Sequence, residues 1–163
     1  MKALLVVYHS VTGGTRQMVD ALAAGAGETC EVALRVLHAT DARPEDLLAH
    51  EAYVFATPEN LAAISGLMKD FFDRCYYPVL GRIEGRPYAA MVCAGSDGSN
   101  AVRQIERIAT GWRLRAIAEP IIVCTHAQTP EQILAAKSLT DADLERCRQL
   151  GASLAAGLAL GIF

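Results

Sequence analysis

Long apolar stretches and basic stripes are both missing from this sequence of 163 residues. The most apolar segment, the tail LGASLAAGLALGIF, is shorter than the ~20 residues that a membrane-spanning helix needs, so we expect no span. A net charge of −3 without a basic stripe argues against nucleic acid as a partner. No cleavable signal is recognisable before the first apolar run.

Paired cysteines are missing too. None of the five cysteines stands in a CxxC or another metal-ligand spacing, and their number is odd. Because three of them lie in or beside apolar runs, we expect reduced, buried thiols in a cytoplasmic protein, without a bound metal.

What is present is typical of a globular protein. The composition is 52% hydrophobic and 20% charged, and no repeat, linker or low-complexity segment occurs. The length is that of one domain. We therefore expect a single domain over residues 1–163.

Five nearly continuous apolar runs alternate with segments of helical spacing. Such runs are typical of strands covered on both faces, as in a parallel sheet. The alternation predicts a doubly wound α/β domain, with ligands beyond the carboxyl ends of the strands. The runs are Ala3–Tyr8, Cys30–Val36, Ala52–Ala56, Tyr88–Ala94 and Pro120–Cys124. The predicted helices are Arg16–Ala24, Arg43–His50, Leu61–Cys75, Val102–Leu114 and one opened by the capping pattern TDAD at 140–143.

The segment YHSVTGGTR at residues 8–16 joins the first run to the first helix. A glycine loop at a helix N-terminus presents free backbone N–H groups to an anion, and the helix dipole adds positive charge there. Hydroxyl groups can donate to phosphate oxygens, and glycine lets the backbone approach closely. An N-capping turn with incidental glycines is the alternative. The expected phosphate-binding residues are Ser10, Val11, Thr12, Gly13, Gly14 and Thr15.

Four common phosphate sites do not match this chain. The GK[ST] end of a Walker loop is absent, and only Gly13-Gly14 is left of a GxGxxG pattern. A receiver domain would need an aspartate where Ala56-Thr57 ends the third run, and no cysteine has an arginine six positions later, as a phosphatase loop requires. The neighbouring His9 is a single loop histidine, which we interpret as solvent-facing.

The first loop matches the pattern S-x-T-G-x-T and resembles the flavodoxin-like superfamily. A second segment, ATPENLAAISGLMKDFFDR at 56–74, resembles the NAD(P)H-dependent FMN reductases and related quinone reductases. This resemblance implies a flavodoxin-like fold: a five-stranded parallel sheet of order 2-1-3-4-5 with helices on both faces. It also implies FMN as the cofactor, with NADH or NADPH as electron donor.

The resemblance further implies which residues surround the flavin. The second loop would line one edge of the ring system, and the third loop, CAGSDGSN at 93–100, would approach its polar edge through backbone groups. No side chain is needed as an acid or base for hydride transfer, so no catalytic residue is assigned. The implied residues are Thr57, Pro58, Glu59, Asn60 and Leu61 in the second loop and Ala94, Gly95, Ser96, Asp97 and Gly98 in the third.

One departure from flavodoxins bears on function. Neither the second nor the third loop carries an aromatic residue to stack on the flavin, so a nicotinamide or a flat acceptor would have room. We therefore expect an FMN-dependent oxidoreductase that passes electrons from NAD(P)H to a quinone-like or other small acceptor. The alternatives are a flavodoxin-type electron carrier and a domain that has lost flavin and serves as a binding module.

Large apolar and aromatic groups crowd the end of the Leu61–Cys75 helix. Because one sheet face does not easily cover them all, we expect part of this surface to form a homodimer. Packing inside one subunit is the alternative. The residues are Phe71, Phe72, Tyr76, Tyr77 and Leu80.

Overall fold

Seven strands and six helices alternate along the chain, and the computed structural model describes all 163 residues. None of the helices combines the length and the apolarity needed to cross a lipid bilayer. The strands are β1 (Lys2–Tyr8), β2 (Val32–His38), β3 (Ala52–Asn60), β4 (Ala63–Ile64), β5 (Pro87–Ala94), β6 (Arg115–Ala116) and β7 (Ile121–Cys124). The helices are α1 (Gly14–Ala26), α2 (Pro44–Ala49), α3 (Gly66–Val79), α4 (Ser99–Gly111), α5 (Pro130–Leu134) and α6 (Asp141–Ala159).

The long parallel strands lie in the order β2-β1-β3-β5-β7, which is the expected order 2-1-3-4-5. The sheet holds seven strands rather than five because two short ones were not predicted. Strand β6 pairs with the first residues of β5, and β7 pairs with its last residues. The outer edge of the sheet therefore consists of two separate short strands. Strand β4 pairs antiparallel with the end of β3.

The central strands are covered on both faces because alternate side chains point to opposite sides of the sheet. Leu5 and Phe55 face the layer of α2, α3 and α4, where the single tryptophan, Trp112, is also buried. Leu4 and Val54 face the layer of α1 and α6. This two-sided burial explains why the runs are continuous rather than alternating.

Helices α1 and α6 approach each other closely through two glycines. A methyl group at Gly25 would collide with the carbonyl oxygen of Arg148, and one at Gly151 would collide with that of Leu22. The bare backbones therefore touch at this crossing. Because α1 begins directly after the first loop, this packing also positions that loop.

The predicted helix Leu61–Cys75 is wrong at its start. Residues 61–65 belong to a β-hairpin and its exit, and α3 begins only at Gly66. Leu61 and Ala62 form the two-residue turn with φ of 51° and 60°, the left-handed region that such turns need and that Asn-Gly usually supplies. Apolar residues at 61, 64 and 68 suit a helix equally well, so spacing alone did not reveal the turn.

Smaller differences concern element ends. Strand β2 begins at Val32 rather than Cys30, and α4 begins three residues before Val102. Helix α5 was not predicted. The capping pattern at Thr140 is confirmed, since its hydroxyl accepts a hydrogen bond from the Asp143 N–H at 3.2 Å.

Candidate functional site

Three loops meet at the carboxyl edge of the sheet, where β1, β3 and β5 end. The first loop spans residues 9–13, the second 57–62 and the third 95–98. The His9 N–H donates to the Ala56 carbonyl at 3.1 Å, which joins the first loop to β3. The Glu59 carboxylate accepts from the Gly98 N–H at 3.0 Å and the Ala101 N–H at 3.1 Å, which joins the second loop to the third. The structure thus brings the three predicted segments together.

The first loop leaves a helix N-terminus open. Gly13 caps α1 with a φ of 93°, and no side chain caps the helix. The backbone N–H groups of residues 11–15 make no hydrogen bond within the chain. The Ser10 hydroxyl accepts from the Arg16 N–H at 3.2 Å, and its own proton remains free to donate. Several donors at the positive end of a helix dipole form a site for an anion.

A buried hydroxyl in this loop also lacks a partner. Thr15 is 1% exposed, and its Oγ1 makes no hydrogen bond. A buried polar group left unpaired costs about 1–3 kcal/mol, which a phosphate oxygen accepting from this hydroxyl would remove. Gly14 has a packing role as well, because a methyl group there would collide with the Cys93 thiol. Thr12 is half-buried and Val11 is 69% exposed. These residues fit a phosphate group.

In the second loop, the structure places Thr57 inside the hairpin, away from the surface that a ligand would touch. Thr57 is fully buried. Its hydroxyl donates a hydrogen bond to the Pro58 carbonyl at 2.9 Å and accepts one from the Ser65 N–H at 3.1 Å. Its side chain therefore shapes the turn instead of lining the site. Pro58 is half-buried, whereas Asn60 and Leu61 are exposed at the tip.

The third loop turns at Gly98, which is buried and whose N–H is already engaged by Glu59. Gly98 has a φ of 84°, and a methyl group there would lie 2.7 Å from the Cγ2 of Ile122. The Asp97 carboxylate accepts from the Ser99 N–H at 3.3 Å and the Ser99 hydroxyl at 2.8 Å, so it holds a turn. The remaining residues are the buried Ala94, the half-buried Gly95 and the exposed Ser96.

Sequence reasoning missed the residues that hold the hairpin in place. The Asn100 side-chain amide donates to the Ala62 carbonyl, and the Gln104 side chain accepts from the Ile64 N–H at 2.8 Å. Both lie on α4, four positions apart and therefore on one helix face. The only signal in the sequence was the i, i+4 spacing of these two polar residues. Their partners, Ala62 and Ile64, lie in the segment that had been predicted as a helix.

His9 is less exposed than expected. Its Nδ1 is buried without a hydrogen bond, and its ring lies edge-on to His38 with centroids 5.3 Å apart. Burial first, and the electrostatic influence of the neighbouring His38 second, lower the pKa of His9. The lowered pKa disfavours a charged His9, so the groups of the first loop that are available to an anion are its backbone N–H groups. No three His, Cys, Asp or Glu side chains are grouped to hold a metal ion.

Comparison with known families and sequences agrees with this geometry. The family model described as NADPH-dependent FMN reductase matches residues 3–129. A flavodoxin of Aquifex aeolicus is 32% identical over 98 residues, which cover 60% of this chain and 53% of that protein. An NAD(P)H dehydrogenase (quinone) of Acidithiobacillus ferrooxidans is 30% identical over 94 residues, covering 45% and 47%. The chain spans about half the length of these curated relatives.

Comparison with solved structures covers nearly the whole chain. The structure of oxidised Flavodoxin 1 from Bacillus cereus superposes with a TM-score of 0.78 at 19% identity, over 96% of this chain and 99% of that one. At this identity the likeness shows the fold alone, and the flavodoxin-like fold is confirmed.

Proposed function

The chain belongs to the NADPH-dependent FMN reductase family, and from this membership we propose that it is an FMN-dependent oxidoreductase. It takes electrons from NADPH or NADH and delivers them to a small acceptor of the quinone type. The observation that carries the proposal is the open first loop, with free N–H groups at residues 11–15 and the unpartnered Thr15 hydroxyl.

The first loop binds the phosphate of FMN through backbone N–H groups and the hydroxyls of Ser10, Thr12 and Thr15. The second and third loops, which lie at the same edge of the sheet, would flank the flavin ring with the exposed hairpin tip and with residues 95–97. When bound there, FMN supplies the redox chemistry, accepting hydride from the nicotinamide and passing electrons on. The chain's own contribution is to bind and orient, because no acid or base side chain is required for hydride transfer.

An uncovered ring face distinguishes an enzyme from a carrier. The second loop offers Asn60 and Leu61, and the third offers only small residues and Asp97, so no aromatic side chain of these loops covers the flavin. Room beside the loops would let the chain hold a nicotinamide close to bound FMN, and such proximity can supply much of the catalysis of a hydride transfer. The similarity to a quinone dehydrogenase supports this proposal. The similarity to a flavodoxin supports the alternative of an electron carrier.

Binding and turnover are tested separately. If the first loop holds a phosphate, FMN binds more tightly than riboflavin. The double variant Thr12→Val, Thr15→Val should weaken FMN binding by a few kcal/mol, because a hydrogen bond to a charged group contributes about 1.5–3 kcal/mol. Riboflavin affinity hardly changes. Equal affinities of the wild type for both flavins would contradict the phosphate assignment, and no flavin binding at all would favour the flavin-free module.

For turnover, the FMN-loaded protein is mixed anaerobically with NADPH or NADH. Bleaching of the flavin absorbance on a catalytic timescale, and rapid reoxidation by benzoquinone, is the expected result. If dithionite bleaches the band and neither nucleotide does, the protein is a carrier.

We also propose a homodimer in the cytoplasm. Phe71 and Phe72 are buried in the core, so they do not support an interface. Tyr76, Tyr77 and Leu80 do, because they remain 41%, 78% and 50% exposed at the end of α3. Sedimentation of a monomer alone at micromolar concentration would exclude the dimer.

Five free cysteines support the proposed cytoplasmic location, because free thiols suit a reducing compartment.

A further inference from the structure

The connection between α5 and α6 lies across the first loop. We call residues 135–139 the strap. The backbone N–H of Lys137 donates to the Thr12 carbonyl at 2.8 Å. The Lys137 ammonium donates to the carbonyls of Gln132, Ile133 and Ala135 at 2.9, 2.8 and 2.6 Å, which fixes the strap to the end of α5.

One side chain of α1 ties the strap to the loop. The Gln17 Nε2 donates to the Gly13 carbonyl at 2.9 Å and the Lys137 carbonyl at 2.7 Å. The Gln17 Oε1 accepts from the Leu139 N–H at 3.1 Å. Gln17 thus bridges two segments 120 positions apart in the sequence.

These bonds determine where the free N–H groups of the loop point. In a trans peptide the C=O of one residue and the N–H of the next point in opposite directions. Because the Thr12 carbonyl is held by the strap, the Gly13 N–H points away from the strap. The Gly13 carbonyl accepts from the Gln17 backbone N–H at 3.1 Å as well as from the Gln17 side chain, so this peptide plane is fixed and the Gly14 N–H points beyond the N-terminal end of α1. Neither N–H has a partner in the chain, so both are available to an anion.

We propose that Gln17 is a positioning residue for the phosphate of FMN: with the strap it holds two peptide planes so that the Gly13 and Gly14 N–H groups converge on the anion. This inference rests on the proposed function. Gln17 does not itself touch the phosphate, since its amide is already engaged by three backbone groups. Its contribution is to spare FMN the cost of ordering the loop.

The test compares FMN with riboflavin, which lacks the phosphate, in a flavin-fluorescence titration of the full chain. Gln17→Leu keeps most of the side-chain volume and removes the three side-chain bonds, while the Gln17 backbone N–H still donates to the Gly13 carbonyl. We expect FMN affinity to fall about tenfold, the factor that corresponds to roughly one hydrogen bond. Riboflavin affinity stays within about twofold. Gln17→Glu changes the packing least: it keeps an acceptor for the Leu139 N–H and removes the two bonds that Nε2 donates. We expect a larger loss of FMN affinity from it, because its negative charge also repels the phosphate directly.

A matched control comes from α4. Gln104 supports the hairpin of the second loop through a single bond to the Ile64 N–H, so Gln104→Leu should weaken FMN and riboflavin by similar factors. Gln149→Leu, on the exposed side of α6, should change neither.

The outcomes separate this inference from the proposed function. If the wild type binds both flavins equally, the phosphate site itself is refuted. If the wild type prefers FMN and both Gln17 variants keep that preference, Gln17 does not position the phosphate. Equal weakening of FMN and riboflavin by the Gln17 variants would assign Gln17 a merely structural role and would also overturn the inference.

Discussion

Replacing Glu59 by alanine tests whether this carboxylate joins the second and third loops. Glu59 lies on β3, yet it accepts hydrogen bonds from Gly98 and Ala101, the cap and third residue of α4. It therefore satisfies two N–H groups that a helix N-terminus leaves unpaired, and it adds negative charge at the positive end of the dipole. No side chain of α4 itself caps the helix.

Two estimates of the loss agree. Removing a capping side chain costs about 0.5–2 kcal/mol, and a hydrogen bond to a charged acceptor contributes about 1.5–3 kcal/mol. Because Glu59 is partly exposed, water replaces some of what is lost, so we expect Glu59→Ala to lower the free energy of unfolding by about 2 kcal/mol. Glu59→Gln keeps one acceptor oxygen, and about 1 kcal/mol is expected. For a domain of this length, the alanine variant should melt about 4–8 °C lower.

The assay is urea unfolding followed by far-UV circular dichroism and by the fluorescence of Trp112, which is buried beside α3 and α4. Glu106→Ala, an exposed glutamate on α4, is the matched control and should stay within about 0.5 kcal/mol of the wild type. A loss in Glu59→Ala no larger than in this control would refute the capping role. With the loops separated, Glu59→Ala should also weaken FMN and riboflavin alike.

Three further predictions concern packing, strain and thiol reactivity. Gly151→Ala should destabilise the protein by about 1–3 kcal/mol, because the added methyl group collides with the α1 backbone. Gly66→Ala is the control and should be neutral, because a methyl group there meets open space. Similar urea midpoints for the two variants would contradict the close crossing of α1 and α6. Ala62→Gly should raise the free energy of unfolding by about 0.5–1 kcal/mol by relieving the left-handed turn, and a lowered melting temperature would argue against strain there. In native protein at pH 8, a thiol reagent should modify the exposed Cys30 rapidly and Cys75 only after unfolding, because burial raises the pKa of Cys75 to about 12; fast reaction of Cys75 would show that it is accessible.

Local patterns in the sequence were enough for the fold and for the first loop. The free energy of burying a strand on both faces depends on the strand's own residues, so five apolar runs were sufficient to predict a parallel sheet, whereas the strand order came from the family resemblance. The hydroxyls and glycines of residues 10–15 are likewise neighbours in the chain, and a loop between a strand and a helix presents them together. The family resemblance then named the cofactor, which composition and spacing had left open.

Tertiary structure decided the parts that join distant segments. The hairpin tip at Leu61 and Ala62 adopts backbone angles that these residues rarely take, and it does so because α4 holds the hairpin from outside. Glu59 caps a helix that begins 40 positions later, and Gln17 meets a strap 120 positions away. Apart from the bond between Gln17 and the nearby Gly13 carbonyl, the partners of these side chains lie far away in the sequence. Their hydrogen bonds form only after the sheet has brought the carboxyl ends of β1, β3 and β5 to one edge.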